Sequence, residues 1–185
     1  MTIVGGVAIV VLAGLAIALG RAVRLWWTYR GARVITCPEN LRPAGVFVDA
    51  AHTAVNPFAK SPELRLSSCS RWPERAGCGQ ECLKQIETAP QDCLVRTILA
   101  QWYAGKRCAC CGQPFGDILA PGAKPAILSA DKNSVEWNQI PAERLPETLA
   151  AASPICFACH MGSVLVRTHP ELAVDRHRTA DARKI

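Results

Sequence analysis

Residues 2–20 carry no charge, and apolar side chains cover every helical face of Ile9-Val10-Val11-Leu12 and Leu15-Ala16-Ile17-Ala18-Leu19. Nineteen helical residues rise roughly 28 Å, close to the hydrocarbon thickness of a bilayer. Trp26, Trp27 and Tyr29 follow, ring types that favour the headgroup region. The pattern predicts one transmembrane helix. Beyond it the period shortens. Residues 33–37 and 44–50 read as strands, and 63–69 alternates apolar and polar positions as a third. Asn56-Pro57 and Ser61-Pro62 mark the loop before the third strand, so an antiparallel meander is expected. Residues 77–87 and about 91–103 read as helices separated by Pro90. The second carries Leu94, Ile98 and Trp102 on one stripe, with Leu99 and Tyr103 beside it and Gly105 as its stop. Residues 126–128 and 134–137 predict a hairpin, and 143–151 a short helix behind Pro141.

The predicted fold class is therefore a single amino-terminal transmembrane helix plus a small cysteine-rich α+β metal-binding domain. Four stretches follow: an anchor with a basic and aromatic flank over 1–33, a meander plus helices over 34–105, a metal-binding module over 106–165, and a loose basic tail over 166–185.

Charge sets an orientation for the anchor. The chain carries 21 Lys and Arg against 15 Asp and Glu, a net charge of +6. Arg21, Arg24, Arg30 and Arg33 all precede the first acidic residue, Glu39. Without those four, 17 basic residues face 15 acidic ones. The excess belongs to the membrane-proximal stretch, and no nucleic-acid partner is expected. The positive-inside rule places the carboxy-terminal part in the cytoplasm, on a single-pass inner or plasma membrane protein. A cleavable signal peptide would carry a positive start, which residues 1–8 lack, although Ala18-Leu19-Gly20 has the small-x-small form of a cleavage site. Gly14 and Ala18 are spaced for helix packing, a pattern common in such spans. The lipid bilayer and a membrane-protein complex are the expected partners.

Orientation bears on the ten cysteines, because cytoplasmic thiols stay reduced and serve metal or redox chemistry rather than disulfides. Cys108 and Cys111 form one C-x-x-C hook and Cys156 and Cys159 another, with 44 residues between them. Two such hooks can close a tetrahedral thiolate cage around zinc. Lys106 and Arg107 favour the thiolate. Cys110 lies between two ligands and is not expected to be a third. The string Lys106-Arg107-Cys108-Ala109-Cys110-Cys111-Gly112-Gln113-Pro114-Phe115-Gly116 resembles the knuckle of zinc-ribbon and treble-clef proteins. The resemblance spans about residues 106–165 and implies a structural zinc held by Cys108, Cys111, Cys156 and Cys159, with an aromatic packed under the metal. HNH nucleases also set a hairpin between two hooks but carry histidine in it. This hairpin has none, so a nuclease is not expected.

The second hook is followed by His160, and C-x-x-C-H is also the attachment signature of a c-type haem. Under that reading Cys156 and Cys159 bind the haem, His160 is its axial ligand, the domain lies outside the membrane, and the protein is a monohaem electron carrier. The haem reading leaves Cys108 and Cys111 without a role, whereas zinc uses all four thiols. Cys69, Cys78, Cys82 and Cys93 form a further group, spaced C-x8-C-x3-C-x10-C, with Cys78 and Cys82 one helical turn apart. They are candidates for a second metal site, for an iron–sulfur or thiol redox centre, or for burial as small hydrophobes. Cys37 is expected to be structural. Asp49 and Glu39 are isolated acids, and neither a Ser-His-Asp set nor a phosphate-binding glycine loop is recognisable. The expectation is a membrane-tethered zinc-binding interaction module with no catalytic residues and no small-molecule substrate.

Overall fold

The computed structural model of the chain describes residues 2–75, 77–120 and 123–172. It divides into two compact units, residues 1–99 with 141–146, and residues 100–140 with 147–185.

The first unit opens with helix α1 (Thr2–Tyr29), which continues past the uncharged run through Arg21 and Arg24. Among its described side chains the large apolar ones from Val7 to Leu19 are exposed. Helix α1 is long and apolar enough to cross a membrane, a description that a signal sequence also meets. Strands β1 (Ala32–Thr36) and β2 (Pro43–Val48) follow, then helix α2 (Ala50–Val55), strand β3 (Leu66–Cys69) and helix α3 (Leu83–Thr88). The three strands form the expected antiparallel meander in the order β1-β2-β3, with Val34 opposite Gly45 and Val46 opposite Cys69. Inward positions Ile35, Val46, Val48 and Leu66 meet Ile86 of α3 in one core. Gln85 fastens α3 to β1 through both ends of its amide, accepting from Thr36 N at 3.0 Å and donating to Thr36 O at 2.6 Å.

Local features differ from the sequence expectation: the strand read over 63–69 forms only over Leu66–Cys69, and the helix read from about 91 begins at Val95, so Cys93 precedes it. Helix α2 occupies a stretch read as loop; Asp49 caps it by accepting from His52 N at 3.0 Å. The helix expected over 77–87 forms only from Leu83, so Cys78 lies in the loop ahead of it. Gly45 has no room for a side chain: a Cβ would lie 2.7 Å from Glu143 Oε2 and 3.0 Å from Ala142 Cβ.

Helix α4 (Val95–Tyr103) leads into the second unit. There β4 (Ala126–Leu128) pairs with β5 (Ser134–Glu136) as the expected hairpin. Helix α5 (Leu145–Ala151) is preceded by a 3-10 turn at Ala142–Arg144. It is followed by β6 (Ser153–Ile155), which adds to the free edge of β4 and gives the order β5-β4-β6. Helix α6 (Phe157–Thr168) closes the unit, with a 3-10 turn at Pro170–Leu172. The tail expected to be loose from 166 is thus helical at its start, and residues 173–185 lie outside the described residues. Tyr103 anchors the unit: its buried hydroxyl donates to Ala126 O at 2.6 Å, and its ring meets Phe115 edge-on with centroids 4.8 Å apart.

Candidate metal centre

Cys108 begins a five-residue turn whose geometry follows from Gly112. Gly112 N donates to Cys108 O at 2.9 Å, and Cys108 N donates to Gln113 O at 2.9 Å. Closing the turn requires φ of +72° at residue 112, which glycine adopts without a Cβ penalty. The Arg107 guanidinium donates to Gly112 O at 3.1 Å and braces the turn from outside. Inside it, the Cys108 sulfur accepts backbone N–H groups from Cys110 and Cys111.

The second hook is carried by different means. Strand β6 ends at Ile155, and Cys156 takes an extended backbone (φ −76°, ψ 159°) as the residue before α6. Cys159 lies in the first turn of that helix, where unpaired N–H groups and the helix dipole favour thiolates. Two hydrogen bonds tie the hooks together: Ala109 N donates to Pro154 O at 2.8 Å, and Cys156 N donates to Cys108 Sγ at 3.3 Å. Edge pairing of β6 with β4 therefore delivers the second hook to the first. Cys108, Ala126 and Ile155 form the apolar floor, against which Phe115, Leu128, Cys156 and Cys159 pack.

The outcome is a cluster in which the sulfurs of Cys108, Cys111, Cys156 and Cys159 all lie within 4.8 Å of one another. Cys111 Sγ and Cys156 Sγ are 3.8 Å apart. Among the described residues no other set of three or more histidine, cysteine or acidic side chains converges this closely. Burial alone would raise the Cys108 thiol, but N–H donors from Cys111, Cys156 and Cys110, with the Cys111 side chain, bring it down to about 6. The Cys159 thiol is pushed up, first by its hydrogen bond with Cys156, then by burial and by Cys111 and Cys108. One thiolate thus forms readily and its charge opposes the next, so a cation is what lets all four ionise. Four thiolates at this spacing suit a metal ion such as zinc. Cys110 is exposed and outside the cluster.

His160 is buried, 6% exposed, and faces away from solvent chemistry. Its Nδ1 lies 2.9 Å from Ser134 Oγ, which lies 2.6 Å from Ser163 Oγ, and Ser163 donates to His160 O at 2.7 Å. The imidazole thereby locks α6 to β5. Of the further candidates, Cys69, Cys78 and Cys82 line one cavity, while Cys93 lines another with Val34, Gln85 and Pro146. The Cys93 S–H donates to Ala89 O at 3.5 Å and Pro90 O at 3.7 Å. All ten cysteines are free thiols.

Comparison with protein-family models, curated proteins and solved structures finds no match.

Proposed function

We propose that this chain is a structural-zinc module tethered to a membrane, serving as an interaction subunit of a membrane complex. The convergence of four thiols from two distant hooks carries the reading. Such a site has no open coordination position, so the metal organises the fold around it rather than activating water. The order of knuckle, hairpin and helix with a hook at its start supports a treble-clef-like arrangement over the second unit. Helix α1 supplies the tether, and Arg21, Arg24 and Arg30 at its carboxy-terminal end favour a cytoplasmic domain facing anionic lipid, whereas Arg33 is buried in β1. Zinc is favoured over covalent haem because the Cys156 and Cys159 sulfurs gather with those of Cys108 and Cys111.

The test is elemental analysis with an absorption spectrum on the full-length chain, expressed in a host competent for cytochrome c maturation. Zinc in a colourless protein is expected. A Soret band that survives denaturation, with iron near one per chain, overturns the zinc reading and moves the domain outside. A brown, oxygen-sensitive protein indicates an iron–sulfur cluster instead. A carboxy-terminal reporter active only in the cytoplasm checks the orientation.

A further inference from the structure

The turn Cys37-Pro38-Glu39-Asn40-Leu41 folds as Cys108-Ala109-Cys110-Cys111-Gly112 does. In each, the fifth residue's N–H donates to the cysteine carbonyl, Leu41 to Cys37 at 2.8 Å and Gly112 to Cys108 at 2.9 Å. In each, the cysteine N–H donates to the carbonyl of the sixth residue, Arg42 or Gln113, at 2.9 Å. In each, the fifth residue takes a positive φ, 55° at Leu41 and 72° at Gly112. In each, the cysteine sulfur accepts backbone N–H groups from the residues two and three positions on, Glu39 and Asn40 or Cys110 and Cys111. Leucine holds that backbone at a cost of about 1–2 kcal/mol, so the turn is not a local default. Its result is a sulfur dressed with N–H donors, the environment of a ligating thiolate rather than of a small apolar filler.

The Cys37 turn has Asn40 where the other has Cys111, so a metal there needs ligands from elsewhere. Cys69 at the end of β3, Cys78 in the following loop and Cys82 just ahead of α3 provide them. With Cys37 these three line one cavity of about 290 Å³ in the first unit. Burial pushes the Cys82 thiol up to about 11, and the neighbouring Cys69, Cys78 and Cys37 thiols push it in the same direction, so a cation is what lets it ionise there. Arg71 Nη1 donates to Cys37 Sγ at 2.9 Å and to Glu39 at 3.1 Å, and Arg75 Nε donates to Glu39 at 3.0 Å. Four thiolates around a divalent ion carry a net charge of about −2; on the cavity wall Arg71 and Arg75 are matched by Glu39 and Glu81, so the direct Arg71 bond to Cys37 Sγ is the contact that favours a thiolate there. These four thiols do not converge as closely as those of the first cluster, so binding draws them together.

We propose that Cys37, Cys69, Cys78 and Cys82 form a second thiolate site for a divalent metal, zinc, and that Cys93 takes no part in it. The identity of the metal leans on the zinc reading of the first cluster; the existence of the site does not.

The experiment is zinc content of the full-length chain in detergent, compared across single variants. Two zinc ions per chain are expected in the unaltered protein. C37S and C82S each leave one, C93S leaves two, and C111S leaves the one held by the second site. A C37S content equal to that of the unaltered chain overturns the proposal. So does a C93S loss equal to the C37S loss, or an unaltered protein holding a single zinc that C111S removes. Failure of the first-cluster reading looks different: C111S then leaves the zinc content unchanged. Should C37S not fold, cadmium-113 NMR of the cadmium-loaded unaltered chain decides, since two signals in the all-thiolate range support the second site and one signal overturns it.

Discussion

Cys111 Sγ lies 3.8 Å from Cys156 Sγ, although 45 residues separate them in the chain. A tetrahedron with metal–sulfur bonds of about 2.3 Å has edges of about 3.8 Å, so this pair already stands at the spacing zinc imposes. Replacing either sulfur opens one corner and leaves three thiolates crowded without their cation. C156S is expected to abolish zinc binding at this cluster and to destabilise the second unit by more than about 3 kcal/mol, given that structural zinc contributes roughly 10–16 kcal/mol of apparent binding energy. Elemental analysis and a thermal melt of the variant check both.

His160 separates the zinc and haem readings without touching the thiols. In H160A the Ser134 hydroxyl keeps Ser163 Oγ but loses its bond to the imidazole, at a cost of about 1 kcal/mol. Zinc content is expected to stay unchanged, and H160N to recover part of the stability. An axial haem ligand behaves otherwise, its removal altering the Soret spectrum.

Acid is expected to release the metal. Protonation competes with zinc for each thiolate. The folded-state thiol of Cys108 is depressed from its ordinary value near 9 to about 6, so its contribution is full above about 9, declines through neutral pH and is gone below about 6. Glu39, held down chiefly by its hydrogen bond from Arg75 and also by Arg71, shifts in the same direction at lower pH. Zinc retention after equilibration between pH 8 and pH 5 should fall through the lower half of that range. Retention independent of pH would count against thiolate ligation.

A steric prediction concerns Gly45. In G45A the new Cβ meets Glu143 Oε2, which can swing away, but also Ala142 Cβ and the Glu143 backbone nitrogen at 3.3 Å. Those are fixed by a 3-10 turn, so a loss of about 1–3 kcal/mol is expected. Chemical denaturation of G45A beside G45A/E143A measures it, and the double variant should recover only a small part.

The features determined by sequence alone are those whose physics is local. An uncharged apolar run makes α1 wherever it is placed, and short strand-forming stretches between turn signals make β1, β2 and β3. Each hook is equally local, because the positive φ at Gly112 and the N–H groups of Cys110 and Cys111 lie within five residues of Cys108. Tertiary structure decided what meets what. Strand β6, three residues long, has no pattern of its own, yet its pairing with β4 brings Cys156 to Cys108. The same holds for His160, which satisfies its ring through Ser134, 26 residues away, and not through anything its neighbours in sequence foretell. Cys37 and Cys93 show the limit most clearly. Spacing groups Cys93 with Cys69, Cys78 and Cys82, whereas the meander carries Cys37 to their cavity and leaves Cys93 facing the carbonyls of Ala89 and Pro90. Separation along the chain measures loop length, while antiparallel pairing sets which loop ends face one sheet edge. That choice depends on the summed register of three strands, which no single motif encodes.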